Sequence, residues 1–149
     1  MRRLNALLAG IALAAASTAA LAGFTQPAEV DVIPNVSPDP AGGLAQGDMT
    51  SARYDKDPDV YIGCGIRKFI TGGGAVVSTG FCQARDAADQ QIVCTTTNAD
   101  LLDAISSSGD FGFVTFSWNG AGTEAEAAEC RRIGFSNQSL YLPKKLDRN

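Results

Sequence analysis

Residues 60–96 read VYIGCGIRKFITGGGAVVSTGFCQARDAADQQIVCTT, and the fold turns on this stretch. Val60, Ile62, Cys64, Ile66 and Ile70 fall on alternate positions, interrupted only by Lys68. A period of two places them on one face of a strand. Thr71-Gly72-Gly73-Gly74 must then turn, because glycine accepts positive φ without steric cost. Ala75–Arg85 forms the returning strand, with Val77, Thr79 and Phe81 on one face and Val76 and Cys82 on the other. Asp86-Ala87-Ala88-Asp89 is a second turn, and the β-branched run Ile92–Thr96 a third strand. Three strands joined by tight turns make an antiparallel meander.

Downstream the period changes. Asn98 is a good N-cap, Asp100 suits the positive end of a helix dipole, and Leu101, Leu102 and Ile105 share one face. Ser106-Ser107-Ser108-Gly109 ends this short helix, which must dock on the sheet because two or three turns do not persist alone in water. Phe111–Trp118 is a strand with aromatics at both parities, which places it inside the sheet or between layers. Glu124–Glu129 is divided between helix-favouring composition and too short a length. Cys130–Phe135 is a strand, Leu140–Leu142 a short last one, and the basic tail 144–149 follows Pro143. The expected fold is α+β: a five- to six-stranded, mainly antiparallel sheet with one short helix, spanning residues 59–143.

Upstream, residues 1–22 have the order of a cleavable signal peptide: Arg2-Arg3, an Ala-rich apolar run to Leu21, and Ala20-Leu21-Ala22 before Gly23. The run is too short and too rich in alanine for a membrane span, so no stable membrane insertion is expected after cleavage. Residues 23–58 hold five of the six prolines, with Gly42-Gly43, Gly47 and scattered aspartates. They are expected to form a flexible arm, with Val30–Ile33 as its one plausible strand.

The chain carries 12 Lys and Arg against 16 Asp and Glu. The leader holds Arg2 and Arg3 and no acid, so the remainder has 10 against 16, a net charge of −6. Nucleic acids and anionic lipids reward the opposite sign. Cys64, Cys82, Cys94 and Cys130 include no C-x-x-C pair, and the chain has no histidine, so two disulfides are expected in place of a metal site. A turn at Gly72-Gly73 brings Cys64 almost opposite Cys82 and leaves Cys94 for Cys130. Cys82 with Cys94 across the second hairpin competes with that arrangement. For about 85 residues of core, such staples supplement a marginal amount of buried surface.

Without histidine, triads of the Ser-His-Asp kind are excluded. Glu124, Glu126 and Glu129 would serve sugar hydrolysis only if two of them faced each other across a cleft. Asp55, Asp57 and Asp59 alternate like calcium ligands, but lack the glycine and the later glutamate of the familiar loop. Gly72-Gly73-Gly74 is followed by a strand, which a phosphate cradle does not allow. Asn35-Val36-Ser37 and Asn137-Gln138-Ser139 match the glycan-acceptor pattern. No cofactor motif is present.

Tyr61, Arg67, Phe69, Trp118 and Tyr141 are the candidate binding surface. Tyr61 and Phe69 share the strand face opposite Ile62 and Ile66, with Arg67 between them. They form an apolar patch unless the helix or the N-terminal arm lies over that face. The expected function is an exported, non-catalytic binding or inhibitor module with a protein or glycan partner. The alternatives are a small carboxylate-dependent hydrolase and a surface component that self-associates through its N-terminal strand.

Overall fold

The structure, a computed structural model, describes residues 26–36, 42–122 and 127–142. The leader, Glu124, Glu126 and the basic tail lie outside them. Seven strands form one sheet: β1 (Asp31–Pro34), β2 (Gly43–Asp48), β3 (Tyr61–Ile70), β4 (Val76–Arg85), β5 (Gln91–Thr96), β6 (Phe113–Asn119) and β7 (Ala128–Ser136). Two short helices, α1 (Met49–Arg53) and α2 (Ala99–Ser106), and a 3₁₀ turn at Ser139–Tyr141 complete the described chain. The spatial order is β1-β2-β6-β7-β5-β4-β3.

The meander is as expected, with Cys64 facing Cys82 in the β3–β4 register and Cys82 facing Cys94 in the β4–β5 register. Its two turns share one geometry. Thr71 N donates to the Ala75 carbonyl and Gly74 N to the Thr71 carbonyl, with Gly74 at φ 84°. Asp86 N donates to the Gln90 carbonyl and Asp89 N to the Asp86 carbonyl, with Asp89 at φ 62°. Each is a three-residue loop, a tight turn closed by one left-handed residue. In the second the Asp86 side chain reinforces it, its Oδ1 accepting from the amides of Ala88 and Gln90.

Three expectations need correction. The sheet is larger and mixed: β7 enters between β5 and β6, pairing parallel to β5 at Cys94–Ala128 and antiparallel to β6. And part of the segment expected to be an arm belongs to the sheet. β2 pairs with β6 over its whole length, and Ala45 and Asp48 are buried. The inner face of β2 is Gly43, Ala45 and Gly47, set opposite Trp118, Phe116 and Val114. Small residues on one strand leave the volume that large ones on the next fill. Asp48 then fastens the segment: its carboxylate accepts from Ser51 N and Ser51 Oγ, capping α1, and from Ala28 N. The expected last strand is instead the 3₁₀ turn.

The sheet curls until β1 meets β4 and β2 meets β3, and the core lies within the curl. Helix α2 is capped as anticipated, Asn98 Oδ1 accepting from Asp100 N and Leu101 N. It docks on the inner face, where Ile105 and Leu102 press against Gly80. A Cβ on Gly80 would stand 2.8 Å from Ile105 Cδ1, so only glycine admits the helix so closely. The disulfides are Cys64–Cys82, within the first hairpin, and Cys94–Cys130, joining β5 to β7. Two disulfides fit a chain that matures in an oxidising compartment. Among the described residues no helix is long and apolar enough to cross a membrane.

Candidate interaction surface

Because α2 packs on the inner face, the opposite face of β3 and β4 stays open. Phe81 lies across Gly65, whose missing side chain leaves the room, and the Arg67 guanidinium sits 4.8 Å above the Phe81 ring. An exposed cation over an aromatic face contributes about 0.5–1 kcal/mol and gives the long side chain a preferred position. Phe69 faces Val77 one step further along. The sequence signalled Arg67 and Phe69 but not Phe81, whose place under Arg67 follows only from the register across the glycine turn.

Beyond Gly80, β4 has no partner on its β5 side, since that ladder stops at the Gly80–Thr96 pair. Residues 67–79 therefore continue past that ladder as a two-stranded hairpin, with Ile66 packed on the core at its base. Its end is apolar on both faces, with Phe69 51%, Ile70 73% and Val76 65% exposed. The Cys64–Cys82 bridge lies near its base and keeps the strands in register. Arg67 and Lys68 are the charges of the hairpin: no Asp or Glu occurs from Val60 to Ala84. Among the described residues neither forms an ion pair, the salt bridges being Arg85 with Asp59 and Asp89, and Arg131 with Glu129. The Asp89 hydrogen bond, with Asp59 and Asp57 nearby, raises the Arg85 guanidinium above its ordinary range.

The other expected surface residues separate. Tyr61 is half-buried at the start of β3, on the same strand face as Arg67 and Phe69, and borders a cleft of about 460 Å³ beside α1. Trp118 is a correction: at 3% exposure it is a core residue, packed 6.1 Å from the Phe116 ring and across Gly43, and offers no binding surface. Tyr141 stacks on Phe113 at 5.5 Å, and its carbonyl accepts from Thr50 Oγ1. It belongs to the packing around α1 and β6.

The acids also have assignable roles. Asp55 Oδ1 accepts from Asp57 N and Asp57 Oδ1 from Asp59 N, two successive side-chain turns that lead the chain into β3. Among the described residues no group of acids and cysteines is arranged to hold a metal ion. In the cleft the carboxylate is Asp55, beside Arg53. Glu129 is exposed and paired with Arg131 at 3.2 Å. Glycoside hydrolysis requires two carboxyls converging on one bond, and the described acids do not show that arrangement.

No protein family, curated protein or solved structure matches this chain.

Proposed function

We propose that this protein is an exported, non-catalytic binding module that engages a protein partner through the β3–β4 hairpin. The observation that carries the reading is the exposure of Phe69, Ile70 and Val76 on a hairpin stapled by Cys64–Cys82. Large apolar side chains concentrated on a projecting element are costly in water and gain free energy when a partner covers them. A hairpin held in register by a disulfide loses little entropy on docking. Export is supported by the leader-like N-terminus and the two disulfides. The self-association route through the N-terminal strand is less well supported, because β1 pairs with β2 and Val30 and Val32 lie in the core of the same chain.

The test is site-specific photocrosslinking in the producing cell. A photoreactive phenylalanine analogue at position 69 or 76 should give one discrete protein adduct, and the same group at Ile33, exposed on β1, should give none. Absence of adducts from both hairpin positions, or the same adducts from all three, overturns the reading.

A further inference from the structure

The hairpin has a backbone as well as side chains, and its outer strand is an edge. In an antiparallel pair, opposed residues alternate between exchanging both backbone hydrogen bonds and exchanging none. The Thr71 N to Ala75 carbonyl bond sets the phase. Counting back through the register, Phe69–Val77, Arg67–Thr79 and Gly65–Phe81 are bonded pairs, and Ile70–Val76, Lys68–Ser78 and Ile66–Gly80 are not. The 4.0 Å Cα separation of Cys64 and Cys82 agrees, since non-bonded pairs are the closer ones. The N–H and C=O groups of Ile66, Lys68 and Ile70 thus point away from β4, and β3 is last in the sheet order. Among the described residues no backbone hydrogen bond meets them.

We infer that this edge of β3 accepts an extended acidic segment of a partner protein, which adds as an eighth strand. The inference rests on the binding-module reading above and specifies its partner. Charge selects the occupant: Arg67 and Lys68 project to opposite faces at adjacent positions, with no acid in the hairpin to neutralise them. A second copy pairing antiparallel about this point would set these cations against their own mates, which is unfavourable. A lipid surface would leave the outward amides without partners. The register also dictates a pattern. Opposite Ile66, Lys68 and Ile70 the incoming strand carries apolar, acidic and apolar residues on one face; opposite Arg67 and Phe69 it carries acidic and apolar residues on the other. An antiparallel segment therefore reads apolar-apolar-acidic-acidic-apolar. Main-chain bonds supply affinity and the alternating side chains supply selectivity.

The probe is a fluorescently labelled peptide, TVVEEVT, titrated by anisotropy into the oxidised full-length chain, with TVVKKVT as its charge-reversed counterpart. TVVEEVT should bind at least about tenfold more tightly, and N-methylation of its edge-facing amides should abolish binding. Lys68→Pro, which removes one outward N–H, should weaken TVVEEVT about tenfold, and Lys68→Gln, which keeps it, should weaken it less. The double variant Arg67→Glu/Lys68→Glu should reverse the preference between the peptides. Equal binding of both peptides, insensitivity to N-methylation, dimerisation on sedimentation, or binding to anionic vesicles without binding to TVVEEVT would each overturn the inference. Failure of the mode is separable from failure of the reading. If a position 69 or 76 adduct survives in the Lys68→Pro background while the peptide results are negative, the module stands and strand addition is wrong; if neither adduct ever forms, the module reading fails.

Discussion

The sheet has two edges, and they are treated in opposite ways. At β1 the strand has four residues, Pro34 has no amide proton, and the outward N–H of Val32 donates to Asp86 Oδ2 at 3.1 Å. Proline, brevity and a capping carboxylate are established means of discouraging intermolecular pairing. At β3 the strand has ten residues, and its outer half has neither a cap nor a proline. One lysine and one arginine are its only charges. The contrast shows that the chain contains the means to close an edge and applies them to one side. The open edge is the feature on which the proposed strand addition rests.

Three perturbations break or sharpen this contrast. The largest effect is expected from the disulfides, one in the β3–β4 hairpin at the open edge and one between β5 and β7 in the middle of the sheet. Cys94→Ser with Cys130→Ser opens a 36-residue separation and should cost about 4 kcal/mol, against about 3 for the 18-residue Cys64–Cys82 pair, in urea midpoints. Only the second should also speed amide exchange along the hairpin. Next come two prolines one residue apart on β3. Arg67→Pro removes a ladder bond and should cost about 3 kcal/mol, whereas Lys68→Pro, whose amide faces outward, should cost under about 1. Equal losses would refute the outward assignment. The smallest is Asp86→Ala, which leaves the amides of Val32, Ala88 and Gln90 without their acceptor and should cost about 2 kcal/mol. Hydrogen exchange at Val32 should rise while that at Ile66 is unchanged, because only the capped edge has been opened.

The meander, α2 and the favoured cysteine pairing were legible because each carries its own local signal: alternation, a turn sequence, an Asn98 cap. β2 was not. Gly43-Leu44-Ala45-Gln46-Gly47-Asp48 has no β-branched residue, and its fitness as a strand resides in Trp118 and Phe116 across the sheet. The parallel β5–β7 contact joins segments brought together by a crossover, which no local pattern reports. For the surface, Arg67 and Phe69 could be read from one strand's parity. Trp118 could not be separated from them by residue type, because burial is decided by the neighbouring strand. The open edge required the hydrogen-bonding phase of the ladder, set by a single turn bond.

The placement of β2 also bears on how the chain assembles. Gly43 is made early and its partner Trp118 late, so the β1–β2 pair waits for the last third of the described chain to supply the strand that joins it to the rest of the sheet. Sheets closed by such distant segments collapse slowly, since the intervening loop must be ordered before any contact rewards it. A protein built this way depends on its surroundings during that interval more than on its finished strength.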